Sequence, residues 1–239
     1  MIVVVPVTVR SGSLSSPRLV AQSALSDGDR DRLYEAGIVD VVRAVDACGG
    51  DLLVNYRDDR VAADDEPGSG LPSVVGNVVE EAIGDTDAAR YEPQVGSTRS
   101  ARIGNTVTHL LEREGATSVG VLDPLAPLVE RTQIDAAAMA LRRHDVVLGP
   151  GSGDSIYLSG FSTPIDFTDA YEQRPLTRLA RRSEDGGLKT GFVPSVPTLD
   201  ASAGLSATRA WITAREAADR TVPEATSAVL AGLDVSSEG

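Results

Sequence analysis

The segment from Thr117 to Phe161 constrains the fold of this chain more than any other stretch. Its first apolar run ends in Asp123, a helical stretch follows, and a second apolar run begins after Asp145. That second run breaks into a loop with three glycines and one proline. Open α/β sheets place ligands and catalytic groups at the carboxyl ends of their strands. The segment therefore predicts two strand ends that converge on one edge, in the order of a nucleotide-handling α/β core.

Strands and helices alternate through the rest of the chain as well. The run IVVVPVT predicts the first strand, a helix with Ser26 and Asp27 as capping candidates follows, and DLLVNY predicts the second strand. Residues 57–72 are acidic and rich in glycine and proline, which predicts a loop, and residues 73–83 have helical spacing. The alternation predicts one Rossmann-like α/β domain with a mostly parallel sheet and helices on both faces.

The later part of the chain is less regular. IYLSGF and LKTGFVPSV predict strands, RPLTRLARR predicts a short helix, and residues 206–218 predict a closing helix. Because less helix separates these strands, we expect an antiparallel or mixed edge of the sheet here. We expect the main domain to cover residues 1–218, with a C-terminal helix and polar tail over residues 219–239.

The charge of the chain argues against nucleic acid or an anionic membrane as a partner. Acidic residues number 35 and basic residues 22, which gives a formal net charge of −13. Such a field repels polyanions. Lys189 is the only lysine, and the few aromatic residues and many Asp and Ala residues resemble the composition of proteins from salt-loving archaea. An acidic protein from a high-GC genome is the alternative.

Several classes of site are excluded by residue content. Cys48 is the single cysteine, so neither an internal disulfide nor a thiolate metal cluster can form, and we expect it to pack at a helix end. His109 and His144 are too isolated for a catalytic triad or a zinc site. No GxSxG, Walker, CxxC or HExxH motif occurs. The N-terminus lacks a basic leader and no apolar run reaches the ~20 residues of a membrane helix, so we expect a soluble, cytoplasmic protein.

Three short motifs carry a resemblance to a known family. GPGSGDSIYLSG at residues 149–160 follows the pattern G-P-x-x-D-G-G-Y-Y-L-x-G, with the aspartate displaced by one position. TLDASAGL at residues 198–205 keeps the middle aspartate and the leucine of D-V-D-T-x-x-D-L, and SPRL at residues 16–19 keeps the arginine but not the lysine of K-T-R-L. The chain resembles GT-A-like transferases of the nucleotide-diphospho-sugar transferase fold and, more distantly, the 2-phospho-L-lactate guanylyltransferases of deazaflavin biosynthesis.

The resemblance implies a metal-dependent transferase that moves a glycosyl or nucleotidyl group from a nucleotide or nucleotide-sugar to a small acceptor. It implies that Asp123 and Arg18 are catalytic, and that Asp123 and Asp200 share Mg²⁺ or Mn²⁺ with the phosphates. The first loop, residues 11–18, would contact base and phosphate, and the glycine-rich loop, residues 149–155, would face the acceptor or sugar. The implied binding residues are Arg10, Ser11, Gly12, Gln94, Gly104, Gly149, Pro150, Gly153, Asp154 and Ser155.

Other interpretations stay open. A noncatalytic relative that keeps the fold for binding or assembly would explain the missing lysine and the altered D-G-G segment. Alternatively, Arg10, Arg99 or Arg102, all expected in loops, could replace the charge of that lysine. Asp154 and Asp200 could also be ordinary turn or capping residues. A Rossmann-like oxidoreductase would need nicotinamide or flavin binding that the loops do not support, and a homodimer is an arrangement that the sequence leaves open.

Overall fold

A mixed β-sheet forms the centre of the computed structural model, which describes residues 1–21, 25–59, 71–200 and 202–237. Its strands, β1 to β8 in chain order, are Ile2–Arg10, Ser13–Leu14, Asp51–Asp58, Arg90–Pro93, Val119–Leu122, Val146–Pro150, Ile156–Phe161 and Thr190–Phe192. The helices, α1 to α7, are Asp27–Cys48, Ser73–Ile83, Arg99–Thr108, Arg131–Ala140, Pro175–Asp185, Ser202–Ala217 and Glu224–Ser237.

The strand order is β4-β3-β1-β5-β7-β6-β8, with the short β2 paired to β1. Strands β4, β3, β1, β5, β6 and β8 run parallel to one another, and β7 is antiparallel to its neighbours β5 and β6. The expected mixed region is present, but its antiparallel strand lies inside the sheet. The reason is the short connection over residues 151–155, which folds β7 back beside β6, between β6 and β5.

Alternation of side chains along the strands gives the sheet two apolar faces. On β1, Val3, Val5 and Val7 pack with residues of α1, α2 and α4, whereas Val4 points the other way and packs with residues of α3 and α5. Helices therefore cover both faces, as predicted, and the mostly parallel α/β class is confirmed. No helix in the described ranges has the length and hydropathy needed to span a membrane.

The boundaries of several elements match the sequence pattern closely. Ser26 caps α1 and accepts a hydrogen bond from the Asp29 backbone N–H, and the predicted helix over residues 73–83 is α2. Cys48 is the last residue of α1 and is partly buried. Of the expected loop over residues 57–72, Arg57 and Asp58 belong to β3, while residues 60–70 lie outside the described part.

Three arginines expected in loops lie elsewhere. Arg99 and Arg102 are in the first turn of α3, because the Thr98 hydroxyl accepts a hydrogen bond from the Ala101 N–H and begins the helix. Arg10 is the last residue of β1. The helical position aims Arg99 and Arg102 from a fixed element, which a loop would not do.

Candidate functional site

A cleft of about 610 Å³ opens at the edge where the parallel strands end. This volume lies in the range of small-molecule sites, and the carboxyl edge of a parallel sheet is where such sites form. The cleft is lined by five arginines and four acids, which gives its walls a net charge of +1 in a chain of net charge −13. These residues are Arg18, Arg57, Arg99, Arg102, Arg174, Asp123, Asp154, Glu172 and Asp200.

At the centre of the cleft, Arg18 bridges two carboxylates. Its Nη1 donates to Asp123 Oδ2 and its Nη2 donates to Asp200 Oδ2. Arg99 Nη2 donates to the same Asp123 Oδ2 at 3.0 Å. The side chains of Arg18 and Asp123 are 25% and 4% exposed, so these ion pairs are largely withdrawn from solvent. The structure thus brings together the three residues for which the resemblance implies catalytic or metal-binding roles.

Burial and charge act in opposite directions on this cluster. Burial by itself would raise the pKa of Asp123, but the charges of Arg18 and Arg99 outweigh it and hold that pKa below its usual value. Burial would likewise lower the pKa of Arg18, but Asp123 and Asp200 raise it. For Arg99, burial and the neighbouring Arg18 charge prevail and lower the pKa. Asp123 is therefore a carboxylate near neutrality, and both arginines are cations there because a guanidinium is not deprotonated in proteins.

Backbone contacts fix Asp123 at the end of β5. Its N–H donates to the Tyr157 carbonyl at 2.8 Å, and its Oδ1 accepts from the Leu125 N–H at 3.0 Å. The next residue, Pro124, is held from behind by α1, because a Cβ on Gly37 would lie only 2.5 Å from the Pro124 carbonyl oxygen. In the sequence, Gly37 shares the helical spacing of Leu33, Ile38 and Val41, which predicts a core-facing position and gives no sign of this close approach.

Asp200 is positioned by a turn that is bonded to the glycine-rich loop. Ser152 N–H donates to Thr198 Oγ1 at 3.1 Å, and Thr198 N–H donates to Ser152 Oγ at 3.0 Å. Ser155 Oγ hydrogen-bonds with Thr198 Oγ1 at 2.8 Å, and Leu199 N–H donates to the Leu125 carbonyl at 2.8 Å. The turn of Asp200 is therefore tied both to the loop after β6 and to the segment after Asp123.

Gln94 positions an arginine. Its Nε2 donates to the carbonyls of Val7 and Asn55 at 3.2 and 2.7 Å, and its Oε1 accepts from Arg102 Nε at 2.7 Å. Arg102 has no carboxylate within 4 Å among the described residues, and the same holds for Arg57. Burial, followed by the charges of Arg57 and Arg99, lowers the pKa of Arg102. Two cleft guanidiniums thus lack an internal anion in the described structure.

Asp154 has a capping role on the opposite side of the cleft. Its carboxylate accepts from the Thr177 N–H and hydroxyl at the start of α5, and from Arg174 Nε at 2.8 Å. Arg174 precedes α5 in the left-handed conformation, with φ of 53°. Asp154 therefore stabilises the first turn of α5 while it lines the cleft, which combines the two interpretations that the sequence left open.

The remaining predicted binding residues lie away from the cleft lining. Arg10 and the Ser11 N–H contact Asp59, at 3.7 and 3.0 Å. Gly104 packs under the Phe167 ring, and Gly149 packs against the Tyr157 ring. Gly12, Pro150 and Gly153 do not line the cleft either, so of the predicted set the cleft is lined by Arg18, Gln94, Asp123, Asp154, Ser155 and Asp200.

Sequence reasoning missed several residues that the cleft brings together. Arg57 and Arg174 stand in stretches that were assigned to loops or to a helix start without a role. Tyr171 lies beneath Arg99, whose guanidinium carbon is 5.5 Å from the ring centroid, and its hydroxyl hydrogen-bonds with Ser159 Oγ at 2.5 Å. A basic residue one position before a strand end or a helix start is the weak signal that could have indicated the two arginines.

The chemistry of Asp123 and Asp200 fits a divalent cation. Both carboxylates contact one guanidinium, and Asp200 Oδ1 is buried without a hydrogen-bond partner in the described structure. Mg²⁺ takes one or two carboxylates together with phosphate oxygens and water. Among the described residues no three His, Cys, Asp or Glu side chains converge, so non-protein oxygens would have to complete the coordination.

Comparison with solved structures identifies the fold. A Desulfovibrio desulfuricans G20 protein whose name assigns it to the nucleotide-diphospho-sugar transferases superposes with a TM-score of 0.73 at 14% identity, over 98% of this chain and 95% of that one. A 4-diphosphocytidyl-2C-methyl-D-erythritol synthase from Anaerococcus prevotii DSM 20548 gives 0.52 at 13% identity, over 89% and 98%. The chain has the nucleotide-diphospho-sugar transferase fold.

More distant likeness adds nothing to this conclusion. The manganese complex of a Mycobacterium tuberculosis H37Rv protein has a TM-score of 0.44 at 12% identity, over 86% of this chain and 96% of that one. Likeness at this level says nothing about the metal of the present chain. No family model matches the sequence, and no curated protein matches it either. The narrower likeness to guanylyltransferases stays a prediction.

Proposed function

We propose that the cleft binds a nucleotide or nucleotide-sugar through its phosphates and transfers a glycosyl or nucleotidyl group to a small acceptor. The observation that carries this proposal is the cluster of five arginines at the carboxyl edge of the sheet, within a strongly acidic chain. Arg57 and Arg102 support it most, since they have no carboxylate within 4 Å among the residues that the structure describes, and such guanidiniums are suited to bind phosphate oxygens.

Phosphoryl and nucleotidyl transfer depend chiefly on positioning and on neutralising charge. Arg99 and Arg102 project from the rigid first turn of α3, and Gln94 fixes the orientation of Arg102. Arg18 and Asp123 lie at the centre of the cleft, where the reacting phosphate would be placed. A bound Mg²⁺ or Mn²⁺, held by Asp123 and Asp200, would supply further neutralisation of the diphosphate charge. Asp154 and Ser155, the two residues of the glycine-rich loop that line the cleft, would face the acceptor or sugar.

The test is a thermal-shift screen with the four NTPs and common nucleotide-sugars, with and without Mn²⁺, in dilute and in multimolar KCl. We expect at least one nucleotide to raise the melting temperature of the wild type, and the shift to be lost in Arg102→Gln. Arg131→Gln is the matched control, because this exposed arginine pairs with Asp135 on α4 and is not part of the cleft lining. If no nucleotide shifts the wild type at millimolar concentration, the proposal is wrong.

Turnover separates an enzyme from a noncatalytic relative. A nucleotide that binds should be consumed when candidate small acceptors are added, and Asp123→Asn should abolish consumption. If the nucleotide binds with the expected dependence on Arg102 and no acceptor leads to turnover, the fold serves binding or assembly and not transfer.

A further inference from the structure

We propose that Arg18 is an exchangeable internal cation that occupies the place of a divalent metal between Asp123 and Asp200 and competes with it. This proposal rests on the proposed function and deepens it, because it adds a regulation of the same site. Binding of metal would require Arg18 to leave the two carboxylates, and a phosphate in the cleft would offer Arg18 another anionic partner.

Two carboxylates meet the Arg18 guanidinium, and both are fixed by other contacts. Two carboxylates from distant parts of the chain, at the end of β5 and in the turn before α6, converge on the two terminal nitrogens of one guanidinium. Neither carboxylate reaches this point by chance, because Asp123 is fixed by the Leu125 N–H and the turn of Asp200 is fixed by the Thr198 and Leu199 bonds. Both carboxylates are therefore held in place by contacts other than Arg18, and Arg18, with its long side chain, is the partner that would leave.

The charges of the cluster are balanced when Arg18 is in place. Asp123 and Asp200 contribute two negative charges, Arg18 and Arg99 contribute two positive charges, and three ion pairs join the four groups. A divalent cation added to this arrangement would leave the cluster with an excess of two positive charges in a largely buried place. If Arg18 leaves, the excess falls to one. Like charges at such distances repel strongly in a protein interior, so metal and Arg18 should exclude each other.

The oxygen atoms of the two carboxylates differ in the donors that they meet. Asp123 Oδ1 accepts from Leu125, and Asp123 Oδ2 accepts from both Arg18 and Arg99. Asp200 Oδ2 accepts from Arg18, while its Oδ1 is buried without a partner in the described structure. A buried carboxylate oxygen without a donor costs free energy. A cation could bind this Oδ1 of Asp200 together with the Oδ2 that Arg18 would release.

The consequence is a coupling between metal and nucleotide. In the absence of phosphate, Arg18 lowers the affinity of the site for metal. Phosphate oxygens that bind the Arg18 guanidinium remove this competition, so each ligand should strengthen the binding of the other, as linkage requires. Metal without nucleotide would then be bound only weakly, and the site would be loaded by both together.

The test measures Mn²⁺ binding alone, by electron paramagnetic resonance of free Mn²⁺, in wild type and in Arg18→Gln. We expect Arg18→Gln to bind Mn²⁺ at least about tenfold more tightly than the wild type, because a unit charge at contact distance has been removed. Adding Asp200→Asn to Arg18→Gln should cancel the gain. Equal or weaker Mn²⁺ binding by Arg18→Gln overturns the proposal.

A matched variant separates occupation of the place from a general change of charge. Arg174→Gln removes the same charge from the lining of the cleft, but Arg174 pairs with Asp154 and not with Asp123 or Asp200. We expect its Mn²⁺ affinity to stay within about threefold of the wild type, since exposed charges are well screened. An Arg174→Gln gain as large as that of Arg18→Gln refutes the competition.

A second measurement uses the wild type, in case Arg18→Gln does not fold. Carboxylates that hold a guanidinium slow its rotation, and the ¹⁵N resonances of the group report this slow rotation. At saturating Mg²⁺, rotation of the Arg18 guanidinium should become fast, while that of Arg99 should stay slow. Persistence of the slowed Arg18 signal at saturating Mg²⁺ contradicts the proposal. If no nucleotide binds but Arg18→Gln binds Mn²⁺ more tightly than the wild type, the proposed function is refuted. The competition between Arg18 and metal would still hold in that case.

Discussion

Gly37 offers a sharp test of how the fold positions the cleft. This glycine lies in the middle of α1, where a Cβ would approach the Pro124 carbonyl oxygen to 2.5 Å. Real Cβ atoms are essentially never closer than 3.0 Å to such an atom, so Gly37→Ala requires α1 or the Pro124 backbone to move by at least 0.5 Å. Pro124 follows Asp123 directly, and the displacement would therefore reach the carboxylate at the centre of the cleft.

The expected magnitude follows from two opposing terms. Forcing a methyl group into a packed interface costs about 1–3 kcal/mol, and replacing glycine by alanine within a helix gains about 1 kcal/mol. The two terms leave Gly37→Ala with a loss of up to about 2 kcal/mol of unfolding free energy, which lowers the melting temperature by up to roughly 8 °C in a chain of this length. Nucleotide and Mn²⁺ affinities should fall together with it.

Urea unfolding of Gly37→Ala and Gly28→Ala provides the assay. Gly28 is in the exposed first turn of the same helix and a Cβ there would meet nothing within 4 Å, so Gly28→Ala should be neutral or stabilising. The reasoning is refuted if Gly37→Ala is as stable as the wild type and binds ligand equally well. It is also refuted if both variants lose the same stability, since the close approach exists only at Gly37.

Three further predictions concern other contacts. The Asp40 carboxylate accepts hydrogen bonds from the Ala225 and Thr226 N–H groups at the start of α7, at 3.2 and 2.8 Å. Asp40→Ala should therefore lower the free energy of unfolding by about 1–3 kcal/mol and expose α7 to limited proteolysis, and Asp40→Asn should lower it by less. Because the pKa of Asp123 is lowered in the folded protein, its stabilisation is complete above the ordinary value near 3.9 and is lost as the pH falls from that value through the lower pKa of the folded state. Asp123→Asn should flatten the acid limb of urea midpoints measured from about pH 2 to 7. Thr198→Val should cost about 1–3 kcal/mol in urea unfolding, because the Ser152 N–H loses its acceptor in a partly buried bond, whereas Thr198→Ser should stay close to wild type.

Patterns local in sequence were sufficient to predict most of the fold. Valine and isoleucine runs indicated β1, β5 and β6, helical spacing gave the bounds of α2, and the acid after Leu122 indicated the strand end that lines the cleft. The strand β4 was missed because its four residues, Arg90–Pro93, are partly exposed and charged at an edge of the sheet, so no alternation is visible. Helical spacing is visible only through Val107, Leu110 and Leu111, which predicts a helix after Asn105, whereas α3 begins at Arg99 with Thr98 as its cap.

The site was only partly predictable, because its geometry depends on contacts between distant residues. Asp123 was identified from its place at a strand end, and Asp200 and Arg18 from motifs, but no pattern in the sequence indicates that one guanidinium would join both carboxylates. The role of Gln94 was expected to be contact with nucleotide, whereas the structure shows it holding Arg102 between strand ends. Arg57 belongs to no motif, and only the sheet order places it in the cleft.

The bridge made by Arg18 has a consequence for the kinetics of folding. Its two ion pairs join residues that are 105 and 182 positions apart in the chain, whereas the hairpin of β6 and β7 joins neighbours in sequence. Contacts of long sequence separation form late, because the loops they close must first be ordered. We expect substitutions of Arg18 to accelerate unfolding and to leave the folding rate almost unchanged, so the cleft would be assembled after the rate-limiting step, on a sheet that is already in place.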